Sequence, residues 1–155
     1  MKKACCFTGH RRIAFSHLQV LKEKLKKEIL TLIDSGITEF IAGGALGFDT
    51  LVATVVLGIK KEYPDVKLSL YLPCPEQDKK WSDKDKAMYR DILKSADNVK
   101  YLFDRYVDGC MLERNRAMVN DAVICIAYYD GRARSGTAMT VNYAKKCGVP
   151  VINLY

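Results

Sequence analysis

Four loops of this chain carry residue types suited to holding a phosphate or a sugar hydroxyl. Thr8-Gly9-His10-Arg11-Arg12 sets an imidazole and guanidinium groups behind a small turn, with Arg11 rather than Arg12 expected to face inward. In Gly43-Gly44-Ala45-Leu46-Gly47-Phe48-Asp49, the paired glycines lack a Cβ and allow a ligand close to the backbone. Gly47 and Asp49 stand at the mouth of the next helix, whose unpaired N–H groups favour an anion. Asp49 can cap that helix or accept a hydrogen bond from a ribose hydroxyl. Asp130-Gly131-Arg132-Ala133-Arg134-Ser135-Gly136-Thr137 ends on two hydroxyls flanking a glycine at another helix start. Backbone N–H and side-chain O–H donors there suit phosphate oxygens. The fourth loop is Pro73-Cys74-Pro75-Glu76-Gln77, with Trp81 close behind.

Each feature has a plainer reading. The glycine loop can be a tight strand-to-helix turn, Ser135 or Thr137 can simply cap a helix, and a lone histidine is more often structural. Arg114-Asn115 lies in a helix whose neighbours Met111, Met118 and Val119 face a core. A buried Arg114 requires a partner, either an anionic ligand or an Asp or Glu. Trp81, Tyr106, Tyr128 and Tyr129 can stack on a base or pack among themselves. The glycine spacing is neither G-x-G-x-x-G nor G-x-x-x-x-G-K-[ST], so neither phosphate-loop signature is present. What carries the inference is the conjunction of three glycine- or hydroxyl-bearing loops on one edge of a sheet.

The elements that position these loops alternate along the chain. Strands are expected at Ala4–Phe7, Glu39–Ala42, Lys67–Leu72, Val99–Phe103, Ala122–Tyr129 and Val149–Leu154. The first helix carries Leu18, Leu21, Leu25, Ile29, Leu32 and Ile33 at helical spacing, with Ser16 and Gln19 as a capping box and Gly36 as its stop. Further helices are expected from about Thr50 to Glu62, from Ser82 with Asp85 as its start signal and Met88, Tyr89, Ile92 and Leu93 on one side, over Asp108–Asn120, and from Gly136 to Cys147. Strands separated by helices of this length make β-α-β crossovers. The expected fold is therefore α/β: Rossmann-like, three-layered, with a mainly parallel sheet and helices on both faces. The apolar strand Val123–Ala127 suits an interior position covered on both sides. The ligand site of such a sheet lies beyond the carboxyl ends of the strands. That is where the four loops fall; the loops after helices hold only stop signals.

Composition narrows the class further. A length of 155 residues suits one domain, taken as 1–155. No apolar run approaches the roughly 18 residues of a membrane span, and the stretch Lys2–Phe7 is too short for a secretory signal. The chain is expected in the cytoplasm, off the membrane. Of six cysteines, Cys5, Cys6 and Cys125 fall in strands, Cys147 closes a helix, and Cys74 and Cys110 fall in loops. Without C-x-x-C pairs or His clusters they read as free thiols, and no metal or cofactor is expected. The net charge of +7 favours anionic partners, yet the lysines spread over solvated faces, so charge alone does not make a nucleic-acid binder.

The ordered set Phe7-Thr8-Gly9-His10-Arg11, Gly43 to Asp49, Pro73 to Gln77 with Trp81, Arg114-Asn115, Tyr129-Asp130-Gly131 and Ser135-Gly136-Thr137 resembles the YpsA-like family over nearly the whole chain. That family belongs to the SLOG superfamily, which joins the Smf/DprA DNA-processing proteins to the Lonely Guy phosphoribohydrolases. The resemblance implies a Rossmann-like fold and a pocket for a nucleotide derivative, lined by Gly9, His10, Arg11, Gly43, Gly44, Asp49, Arg114, Asn115, Gly136 and Thr137. It also implies a nucleotide-sensing role in bacteria or their phages, and self-association as in superfamily relatives. Lonely Guy enzymes carry P-G-G-x-G-T-x-x-E; here Gly136-Thr137-Ala138-Met139-Thr140 puts Thr140 in the place of the catalytic glutamate. A hydroxyl without a base beside it does not shuttle protons at neutral pH. The leading expectation is thus a module that binds a nucleotide-derived small molecule, ADP-ribose-like, NAD-like or a nucleoside phosphate. A phosphoribohydrolase, with Asp49 or Asp130 as the acid, stands second. DprA-like binding of single-stranded DNA stands third and is less favoured.

Overall fold

The computed structural model describes residues 3–155; Met1 and Lys2, the latter opening the N-terminal stretch read above, lie outside the described residues. Ala4 to Gly9 carry no charge and form β1 (Ala4–Gly9), buried on both sides as an interior parallel strand requires. In chain order there follow α1 (Phe15–Asp34), β2 (Glu39–Ala42), α2 (Phe48–Lys60), β3 (Lys67–Leu72), α3 (Asp83–Ser95), β4 (Asn98–Tyr101), α4 (Cys110–Asn120), β5 (Ile124–Tyr128), α5 (Gly136–Lys146) and β6 (Val151–Asn153). The strands form one sheet in the order β4-β3-β2-β1-β5-β6, each neighbouring pair parallel. The Rossmann-like α/β expectation holds.

Strand order explains the layers. From β1 the chain steps outward through β2 and β3 to β4, then returns through α4 to place β5 on the other side of β1. Right-handed crossovers in opposite directions put helices on opposite faces. Phe7, Phe40, Leu70 and Ile126 accordingly share one core with Leu25 of α1, Val52 of α2 and Tyr89 of α3. Cys6, Ile41 and Cys125 share a smaller one with Met118 of α4 and Ala144 of α5. The direction reverses between β1 and β5, where residues 5–9 pair with 124–128. The carboxyl ends of those two strands form the switch-point crevice of a doubly wound sheet.

Several local expectations are corrected. The capping box at Ser16 and Gln19 does not form: α1 starts two residues earlier, behind Ala14 with ψ 132° and no side-chain cap, and the Gln19 amide donates to Glu23. Helix α2 begins at Phe48 rather than Thr50, because Gly47 at φ +80° turns the chain straight into it. Ser82 does cap α3, accepting from the Asp85 N–H at 3.2 Å, but Met88 is 45% exposed and leaves the apolar side to Tyr89, Ile92 and the partly buried Leu93. Strands β4, β5 and β6 are shorter than expected, since their apolar flanks run past the last paired residue. Cys74 and Cys110 are buried, the latter as the first residue of α4, and all six thiols are free. Among the described residues no helix is long and apolar enough to cross a membrane.

Candidate functional site

A hollow of about 330 Å³ opens at the switch point. Of the residues singled out by sequence it is lined by Thr8, Gly9, His10, Arg11, Ala45, Asp49, Arg114, Asn115, Ser135, Gly136 and Thr137. These come from the end of β1, the loop into α2, the first turns of α4, and the start of α5. Ser135 caps α5, its Oγ accepting the Ala138 N–H at 2.9 Å. Gly136 and Thr137, in the first turn of α5 where N–H groups have no intrahelical acceptor, line the hollow. Helix N–H groups and a positive dipole end make that edge suited to an anion.

The mouth of α2 is organised differently. The Phe48 N–H donates to the His10 carbonyl at 3.2 Å, and the Asp49 carboxylate accepts the Ala45 N–H at 3.2 Å. That helix start therefore carries its own acid. Burial pushes the Asp49 carboxyl above its ordinary value of 3.8, with Arg114, the Ala45 N–H and Arg11 pulling only part of the way back. Asp49 is thus a buried carboxyl on the wall of the hollow, held among two arginines.

Arg114 is 3% exposed. Its Nη1 donates to the carbonyls of Gly43 and Tyr71 and to Gln77 Oε1, and its Nε donates to Asn115 Oδ1 at 2.8 Å. No ion pair among the described residues includes it; carbonyl and amide oxygens take these hydrogen bonds, with the Asp49 carboxyl near enough to act on its charge. Burial pulls the guanidinium below its ordinary value and nearby Asp49 offsets part of that. Gly43 makes the arrangement fit: a Cβ there would stand 2.8 Å from both the Arg114 Cζ and Asp49 Oδ2. The clearance expected to serve a ligand serves the protein's own ions.

Other residues of the expected site lie elsewhere. Gly44 is buried and its carbonyl accepts from Gln77 Nε2, which also donates to the Tyr89 hydroxyl. Gly47 packs on the backbone of Arg11. Pro73 is buried and its carbonyl accepts the Phe103 N–H. Gln77 and Trp81 line a neighbouring hollow of about 570 Å³ with Tyr106. Asp130 binds Arg132 side chain and N–H, which hold its carboxyl far below the ordinary range; Gly131 is exposed beside it. Tyr128 is buried against Phe48, and Tyr129 donates to the Arg132 carbonyl, so neither reaches the hollow. His10 Nε2 lies 3.0 Å from the Asp130 N–H and 3.1 Å from its Oδ1. The neutral ring accepts from the first, and the protonated ring donates to the second.

Met111, Leu112 and Phe7 also line the hollow and were missed. Met111 stands three and four residues before Arg114 and Asn115, hence on the same helix face; that spacing was the available signal. Thr140, aligned with the catalytic glutamate of Lonely Guy enzymes, donates to the Gly136 carbonyl and lines a groove between α4 and α5 instead. Among the described residues no group of three His, Cys, Asp or Glu side chains could hold a metal.

A doubly wound parallel sheet with a hollow over its switch point defines a Rossmann-like α/β protein. The chain belongs to the YspA SLOG family, whose model matches residues 5–150. It is 38% identical over 140 residues to the SPbeta prophage-derived protein YoqJ of Bacillus subtilis, covering 79% of this chain and 81% of that one. It is 27% identical to a UPF0398 protein of Bacillus licheniformis, over 93% of this chain and 84% of the relative. In fold it is similar to DNA processing protein A from Helicobacter pylori (TM-score 0.65, 19% identity) and from Streptococcus pneumoniae (TM-score 0.67, 15% identity). Those alignments cover 97% of this chain but 64% and 49% of the solved chains.

Proposed function

We propose that this chain binds a nucleotide-derived small molecule, ADP-ribose-like, NAD-like or a nucleoside phosphate, in the switch-point hollow, as a sensor or sequestering module of the cytoplasm. The observation that carries this reading is the convergence on one hollow of the α5 N-terminus, the Asp49 carboxyl and Arg11, with Arg114 built into the wall beside Asp49. A phosphate meets the Gly136 and Thr137 N–H groups and the Thr137 hydroxyl, and a ribose hydroxyl donates to Asp49. Calorimetry against a panel of nucleoside phosphates, NAD and ADP-ribose tests it. Binding that Thr137→Val weakens by roughly tenfold is expected; silence across the panel ends the proposal.

Two observations keep other readings in view. Asp49 is a buried carboxyl on the wall of the hollow whose pKa lies above its ordinary value, so the chain is also to be assayed for release of free base from AMP-type substrates by chromatography. The Helicobacter pylori neighbour is described by its single-stranded DNA binding mode, and a gel shift at low salt tests whether this chain shares that property.

A further inference from the structure

The switch-point hollow lacks one thing a nucleotide needs. Its aromatic members are Phe7, which is 2% exposed and belongs to the core, and His10, whose ring is engaged by Asp130. A base has no broad face to lie on there. The larger hollow beside it supplies one, since Trp81 and Tyr106 stand on its wall. Trp81 is braced edge-on against Tyr89 at 5.0 Å, and Tyr106 is 59% exposed. The same wall carries Lys79, Lys80 and Arg11, and among the described residues none of these three takes part in an ion pair. Its one acid, Glu76, accepts the Tyr106 N–H.

Arg11 and Met111 belong to both walls. The Arg11 Nη2 rests on the Met111 Sδ at 3.6 Å, so these two side chains form the sill between the hollows. A thioether is a weak acceptor and does not compete with a phosphate for the guanidinium. The smaller hollow, near 330 Å³, sits at the floor of the usual range for ligand pockets, about 300–1,000 Å³; joined to its 570 Å³ neighbour it reaches the upper part of that range.

We propose that the two hollows hold a single ligand of two units. A phosphate-bearing ribose unit sits at the start of α5, an aromatic base lies against Trp81 and Tyr106, and phosphate crosses the sill at Arg11. That is the chemistry of a pyrophosphate-linked nucleotide. The proposal rests on the nucleotide reading above and narrows it.

Calorimetry on the full chain with ribose 5-phosphate, ADP-ribose and a short oligothymidylate separates the outcomes. ADP-ribose is expected to bind at least tenfold more tightly than ribose 5-phosphate, which has no base. Trp81→Ala, and separately the pair Lys79→Glu with Lys80→Glu, are each expected to erase that advantage while ribose 5-phosphate affinity stays within twofold. The lysines are exposed, so the pair reads the larger hollow even where loss of Trp81 from the Tyr89 ring disturbs folding. Equal binding of ribose 5-phosphate and ADP-ribose, or variants that weaken both alike, overturns the two-unit ligand and leaves the nucleotide reading intact. No binding by either overturns both. Oligothymidylate that binds more tightly than ADP-ribose, and loses to the same variants, assigns the larger hollow to a nucleic-acid strand and overturns the small-ligand proposal.

Discussion

Asp49 concentrates the chemistry of the site at the scale of one residue. Burial raises its pKa above 3.8, and Arg114, the Ala45 N–H and Arg11 compensate only in part. The native state therefore holds this proton more tightly than the unfolded chain. Its effect on stability is absent at low pH and becomes a penalty as pH rises from about 3.8 through the raised native value. Asp49→Asn keeps an oxygen for the Ala45 N–H and removes the buried charge. The variant is expected to match or exceed the parent in stability at pH 7, with the gap closing as pH falls towards 4. Urea midpoints at several pH values measure this; a variant that loses ground as pH rises contradicts it. Asp49 itself was legible in the sequence, because an acid just behind a glycine turn is a helix-start signal. The upward shift of its pKa was not, since that depends on burial and on Arg114, 65 positions away.

At the scale of the element, the β1–α1 and β2–α2 loops are built as one piece. Gly47 lies at φ +80°, and a Cβ there would stand 2.1 Å from the Arg11 carbonyl oxygen. Both the conformation and the contact exclude a side chain, and the obstacle is backbone rather than a movable side chain. Gly47→Ala is expected to cost more than about 1 kcal/mol of stability and to weaken nucleotide binding by displacing Arg11. Chemical denaturation and calorimetry on the same variant check both; full stability with unchanged affinity would show the two loops to be independent. The elements themselves were readable from alternation of apolar runs with helical spacing. Two helix starts were misplaced because the capping expected of Ser16, and of Asp49 ahead of Thr50, lost to backbone geometry at Ala14 and Gly47.

On the scale of the molecule, the net charge of +7 is spread over the surface, whereas the cations proposed to meet the ligand gather at the strand ends. Raising ionic strength from about 0.1 to 1 M shortens the screening length from roughly 10 to 3 Å. Nucleotide affinity is expected to decline by no more than about tenfold over that range, because the contacts are few and partly enclosed. A DNA strand would respond more steeply, with a log–log slope near −0.7 for each phosphate neutralised. Titrations at stepped salt distinguish the two, and a slope of about −3 or steeper for the bound species would argue for a strand.

By itself the sequence determined that six short apolar runs alternate with five helices, that the sheet is parallel, and that the loops after the strands hold the polar residues. These follow from local periodicity and from the length of the crossovers. Only the tertiary structure decided which of those residues meet. Interior parallel strands are apolar on both faces, so their patterns do not say that β5 lies against β1 while β4 takes the far edge. That order brings Ser135, Gly136 and Thr137 to the hollow of Thr8 and Arg11, separates Asp130 from it, and turns the clearance at Gly43 over to Arg114 and Asp49.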